Sequence, residues 1–197
     1  MTEWYTKKTF GSLVDTMAER FGDREALVFK DERYSFLEVR TRVDEVARGL
    51  IQLGVEPGDH VALWLMNRPE WIFTMFALAR IGAIQVPVNS RFRTHDLAYL
   101  LKQSDTRYLI THDISGPVDF LGMVREVVNL PESGSAIDDP DFPEMSNVVI
   151  LSDTEYSGCV QWSGMLEAGT NVGDTILAAR IEACDPDLPA FIMYTSG

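Results

Sequence analysis

The chain has 197 residues, 46% of them apolar and 24% charged, enough to bury a full core in one domain. Its net charge of −13 is concentrated late: residues 126–197 hold 13 acids and a single base, Arg180, whereas residues 1–125 are nearly balanced with 17 acids and 16 bases. Such a surface repels phosphate backbones and carries no basic stripe interleaved with aromatics, so nucleic acid is not an expected partner.

The opening "MTEWYTKKTF" has neither an apolar signal core nor an Arg-rich, acid-poor transit pattern, and a cytoplasmic protein is expected. Ser12 is placed to cap a helix whose apolar residues Leu13, Val14, Met17, Ala18 and Phe21 share one face before Gly22. "ALVFKDERYSF" reads as a hairpin turning at Asp31 and Glu32. Ser35 and Glu38 have capping-box spacing, which predicts a helix through Leu37, Val43, Val46, Ala47, Leu50 and Ile51, ended by Gly54. "HVALWLM", His60 to Met66, is apolar without alternation, the pattern of a strand covered on both faces.

Pro69 suits the first turn of the next helix, "PEWIFTMFALARIG", which is apolar nearly all round, is expected to be largely buried, and stops at Gly82. "AIQVPV" follows as a strand, then a helix capped by Thr94 through Leu97, Leu100 and Leu101, then the strand "RYLIT" from Arg107. Strand, helix, strand, helix, strand is the order of a doubly wound, largely parallel α/β sheet flanked by helices. Residues 131–145, "PESGSAIDDPDFPEM", lack apolar periodicity and are predicted to form an exposed acidic loop. Structure is expected to resume with the strand "NVVIL", a short helix over Trp162 to Gly169, and a last strand from Ala190 to Tyr194. The most apolar stretch, from Trp71, is broken by Arg80, Gly82 and Pro87, so no transmembrane segment is predicted.

Much chemistry is excluded. His60, His95 and His112 are scattered, with no HExxH pair and no CxxC beside them, so no metal site is predicted and the histidines read as surface or structural. Cys159 and Cys184 read as buried or idle thiols. There is no G-x-S-x-G elbow, no G-x-G-x-x-G fingerprint and no complete G-x-x-x-x-G-K-[ST] loop. What remains is the ending "FIMYTSG": a buried strand that delivers Thr195, Ser196 and Gly197 at its carboxyl end places two hydroxyls and a permissive backbone where doubly wound folds bind ligands. Alone, Thr-Ser-Gly reads more readily as an ordinary turn.

Three stretches in order change that reading. "YSFLEV" at Tyr34, "ALARIGAIQVPVNSRF" at Ala77 and the terminal "YTSG" resemble the Leu-Thr-Tyr-x-Glu-Leu, Leu-Lys-Ala-Gly-Ala-x-x-x-Pro-[Leu/Val]-[Asp/Asn] and Tyr-Thr-Ser-Gly-[Ser/Thr]-Thr-Gly-x-Pro-Lys-Gly segments of the adenylate-forming enzymes. "PVNSRF" is more similar to the acyl-CoA synthetase branch than to peptide-synthetase adenylation domains. The resemblance implies that residues 1–197 are the first α/β subdomain of a large N-terminal domain, cut inside its phosphate loop, with the rest of its own polypeptide as partner. It implies a two-step reaction in which ATP with Mg²⁺ converts a carboxylic acid to an acyl-adenylate and CoA then takes the acyl group as a thioester. Thr195, Ser196 and Gly197 would contact the β and γ phosphates; no catalytic residue and no metal ligand is implied in this portion, and the isolated chain is expected to be inactive. Tyr34, Gly82 and Pro87 are expected to serve packing and turns, and Arg91 a surface or structural ion pair. Two other readings stay open: an adenylating enzyme that loads a carrier protein, and a stand-alone, non-catalytic α/β binding module.

Overall fold

The computed structural model describes residues 7–132 and 136–195. A 3-10 turn, Phe10–Ser12, leads into α1, Leu13–Phe21. Ser12 precedes the helix without capping it; its hydroxyl donates to Thr9 O, and the Thr9 hydroxyl accepts from the Ser12 N–H and caps the 3-10 turn instead. Strands β1, Glu25–Phe29, and β2, Glu32–Ser35, form the antiparallel hairpin, which turns one residue earlier than expected because Lys30 takes the left-handed conformation at φ 53°. The capping box is present at α2, Phe36–Leu53: Ser35 Oγ accepts from the Glu38 N–H at 3.2 Å and the Glu38 carboxylate accepts from the Ser35 N–H at 2.7 Å.

The main sheet is built from β3, His60–Trp64; β4, Ile84–Pro87; β5, Tyr108–His112; β8, Asn147–Leu151; and β9, Val160–Gln161. They lie in the order β4-β3-β5-β8-β9, and every pair is parallel. Helices α3, Pro69–Arg80, and α4, Thr94–Gln103, make the crossovers that join β3, β4 and β5, while the small hairpin β6, Ile114–Ser115, and β7, Val118–Asp119, precedes α5, Phe120–Val127. The chain closes with α6, Trp162–Gly169, and α7, Asp174–Glu182.

The unbroken apolar runs become two cores because successive strand residues point to opposite faces. Val61, Leu63, Ile110, Val149 and Leu151 face α2, α3 and α6; Ala62, Trp64, Val86, Leu109 and Val148 face α4 and α5. Helices thus cover both faces, the doubly wound arrangement. Gly54 and Gly82 end α2 and α3 at φ 98° and 77°, a region that side chains with a Cβ rarely enter. On the helical side, Arg80 ties three elements together: its guanidinium meets the Asp15 carboxylate of α1 at 2.6 and 3.0 Å and Asp44 of α2 at 2.7 Å.

Several expectations change. Helix α3 is largely buried as expected, but unevenly: Phe73, Thr74, Ala77 and Leu78 are buried, whereas Trp71, Ile72, Met75 and Phe76 are half-covered, with Phe10 stacked on Phe76 at 4.9 Å. Thr94 is the first helical residue of α4 rather than its cap; Arg93 precedes it, and the Asp96 carboxylate accepts the Arg93 N–H. The loop 131–145 is not simply exposed. Ile137, Phe142 and Met145 are buried in the α4/α5 core, and the Asp139 carboxylate folds the segment over them by accepting from the N–H groups of Asn129 and Asp141 at 2.8 and 2.9 Å. Finally, the stretch from Ala190 to Tyr194 makes one parallel bridge, Phe191 beside Gln85, rather than a strand. Two backbone bonds hold it to the outer edge of β4: Gln85 N–H to Ala190 O and Ile192 N–H to Gln85 O, both 2.9 Å.

Candidate functional site

In a doubly wound sheet the ligand crevice lies past the carboxyl ends of the strands, where the strand order reverses. Here the chain goes from β3 to β4 on one side and returns to β5 on the other, so the reversal falls at β3. The rim there is assembled from residues far apart in sequence. Trp64 Nε1 donates to Asn89 O, and Thr111 Oγ1 donates to Trp64 O, both at 3.1 Å, which locks the turn after β4 and the end of β5 to the end of β3.

His112, 6% exposed at the end of β5, is the centre of the polar network on this rim. Its Nε2 accepts the Met66 N–H at 3.0 Å. The neutral ring therefore carries its hydrogen on Nδ1, which faces Arg68 Nη1 at 3.2 Å, donor against donor. Arg68 is itself held by a bidentate pair with Glu70, 2.7 Å on both arms, across Pro69. Burial first, and the Arg68 charge second, push the His112 pKa down to about 4. Asp113 accepts from Ser152 Oγ and Tyr156 OH, and these hydrogen bonds together with the Ile114 N–H outweigh its burial and lower its pKa. Apart from the His112 Nδ1–H, the polar groups of this rim are thus already engaged with one another. The rim positions the turns rather than offering a free acid or base.

Of the three residues singled out for phosphate binding, Thr195 is exposed just beyond the segment bonded to β4, and Ser196 and Gly197 lie outside the described residues. The exposed hydroxyl of Thr195 can donate to a phosphate oxygen. Among the described residues no three His, Cys, Asp or Glu side chains are grouped to hold a metal ion. Both cysteines are free and half-buried, and burial raises their pKa values, the opposite of what a nucleophilic thiol requires. Arg91 is exposed and has no ion-pair partner among the described residues, where an ion pair was expected; its backbone is engaged, the N–H donating to Asn89 Oδ1 and the carbonyl accepting from Arg93 Nη1, both at 2.9 Å. No described helix is long and apolar enough to cross a membrane. The Arg68–Glu70–His112 network escaped sequence reasoning because parallel pairing brings together residues 44 apart; the only local signal was a base and an acid flanking Pro69.

Comparison with known proteins agrees with this fold. YngI of Bacillus subtilis, named as a candidate acyl-CoA synthetase, is 32% identical over 195 residues, covering 96% of this chain and 35% of YngI. The crotonobetaine/carnitine–CoA ligase of Salmonella paratyphi A is 36% identical over 118 residues, 57% of this chain and 22% of that protein. The mitochondrial medium-chain acyl-CoA ligase ACSF2 of Mus musculus is 27% identical over 96% of this chain and 31% of its own length. Among solved structures, Mycobacterium smegmatis MbtA superposes with a TM-score of 0.77 over 99% of this chain and 32% of MbtA at 23% identity, and the anthranilate CoA ligase AuaEII, solved with anthranoyl-AMP, with 0.67 over 96% and 30% at 18% identity; these two speak for the fold. The chain spans about a third or less of the length of these relatives. The model of the AMP-binding enzyme family matches residues 14–197, and the chain belongs to that family.

Proposed function

We propose that this chain supplies the first α/β portion of an AMP-forming carboxylic acid:CoA ligase. The observation that carries the reading is the family match across residues 14–197, supported by Tyr194 and Thr195 following the segment bonded to the edge of β4 and by relatives named as acyl-CoA ligases. In the first half-reaction a carboxylate oxygen attacks the α-phosphorus of ATP and pyrophosphate leaves; in the second, the CoA sulfur attacks the acyl carbonyl and AMP leaves. Thr195, Ser196 and the Gly197 backbone bind and orient the β and γ phosphates, and they neither take nor give a proton. Mg²⁺ would accompany ATP and offset its charge, and no residue of this chain is assigned to hold it. The chain alone is inactive in this reading. It has the start of one phosphate loop and no lysine after Lys102.

The test is ATP-dependent thioester formation by the whole protein, offered short-chain, fatty and aromatic acids with CoA. The expected product is acyl-CoA with AMP and pyrophosphate. Transfer of the acyl group only to a carrier-protein thiol would replace CoA as acceptor, and ATP binding by the 197-residue chain with no chemistry in any longer form would favour a binding module.

A further inference from the structure

At the opposite end of the sheet, away from Thr195, lies a cavity of about 470 Å³ that no step of the proposed reaction uses. It is a half-open hollow lined by pieces distant in sequence: the 3-10 turn and start of α1, the turn before β3, the α3–β4 turn, and the segment between α7 and Ala190. Aliphatic side chains of Leu13, Ile81, Ile84 and Leu188 line it, with Pro57 and Pro189. The volume is within the range of small-molecule pockets, roughly 300–1,000 Å³.

Its rim is not electrically neutral. Two of the cations nearby are committed: Lys7 to Asp187, and Arg180 to Glu56 and Val55 O. Asp185, the carboxylate on the rim, accepts the Asp187 N–H and closes the turn. Lys8 remains. Its ammonium donates to Thr16 Oγ1 at 3.0 Å and, among the described residues, has no carboxylate partner. An apolar interior, with an ammonium at its edge that has no carboxylate partner among the described residues, matches a molecule with a single apolar chain and a single anionic head.

We propose that this cavity is a second binding site, separate from the phosphate loop, for an aliphatic monocarboxylate whose chain fills the interior and whose head meets Lys8. The site stands independently of the ligase reading, since it is built only from residues of this chain at the amino ends of the strands.

The experiment titrates decanoate, decan-1-ol and hexanoate into the 197-residue chain and follows backbone amide shifts. Decanoate is expected to give saturable shifts centred on Ala79, Gly82, Ala183 and Ala190. Hexanoate, four methylenes shorter, should bind at least about tenfold more weakly, and the alcohol about fivefold more weakly. Lys8→Met should make acid and alcohol bind alike. Ala183→Trp, at an exposed position on the cavity mouth, should abolish binding of both while thermal unfolding stays unchanged. Non-saturating shifts, shifts centred on Met193 to Thr195 or on His112, or undiminished binding by Ala183→Trp would each overturn the proposal.

Discussion

The centre of the sheet and its β4 edge are held in very different ways. Strands β3 and β5 are paired on both sides and covered on both faces, with Val61, Leu63, Trp64, Leu109 and Ile110 all fully buried. The segment from Ala190 to Thr195, which carries the first residue proposed to bind phosphate, has one bridge, two backbone hydrogen bonds, the ring of Phe10 edge-on to Phe191 at 5.4 Å, and the half-buried Ile192 and Tyr194 against the α4/α5 core. Burial is concentrated in the scaffold, and the residue proposed to bind phosphate sits at the end of a lightly paired edge segment. That division is physically reasonable: segments that contact ligands are drawn from the low-stability end of a fold, while burial fixes the frame that positions them.

The contrast is most strongly broken at the centre. Leu63→Ala removes a fully buried side chain from the larger core and should cost about 3 kcal/mol or more, read as a shift in the urea midpoint with an unchanged slope. A similar amount is expected from pH alone at His112. The unfolded histidine takes a proton near its ordinary pKa of 6.5, whereas the folded one resists it down to about 4. Its contribution is therefore fully present above pH 6.5 and is lost as the pH falls toward 4, by on the order of 3 kcal/mol across that window. In His112→Gln, which keeps an acceptor for the Met66 N–H but does not titrate, this part of the pH dependence should vanish. Urea unfolding of both proteins at pH 7.5, 6 and 4.5 separates it from the carboxylates they share.

Smaller effects are expected at the edge. Ile192→Pro deletes the N–H that bonds Gln85 O and should cost about 1 kcal/mol, with faster hydrogen exchange at Gln85 and unaltered protection in β3 and β5. Protection lost equally across the sheet would show that edge and centre open together. Thr195→Ala, at an exposed position, should change the stability of the chain by less than about 0.5 kcal/mol.

The sequence made most of the scaffold legible for identifiable reasons. Continuous apolar runs mark β3, β5 and β8 because both faces are covered, and the Ser35–Glu38 pair marks α2 because its two hydrogen bonds are local. Helix α5 was hidden by the preceding β6–β7 hairpin and by Gly122, although Asp119 Oδ1 accepts the Gly122 N–H as a normal cap. Helix α7 gave no periodic signal, since Leu177 is its only buried residue and Ile176 faces solvent. The packing of residues 136–145 was unreadable because Ile137, Phe142 and Met145 have no regular spacing; they are buried by a loop that the Asp139 carboxylate organises. For the site, the ordered motifs pointed to Thr195, whereas the rim around His112 depends on parallel pairing over long sequence separations.

The most direct test of the central claim, that the edge segment serves adenylation while the core supplies only its support, is pyrophosphate–ATP exchange by the whole protein carrying Thr195→Ala. Losing one hydroxyl donor to a charged phosphate should slow acid-dependent exchange about tenfold or more. Thioester formation from preformed acyl-adenylate and CoA should remain near the unmodified rate, as should the unfolding midpoint. Exchange that is unaffected, or a loss equal in both half-reactions, would contradict it.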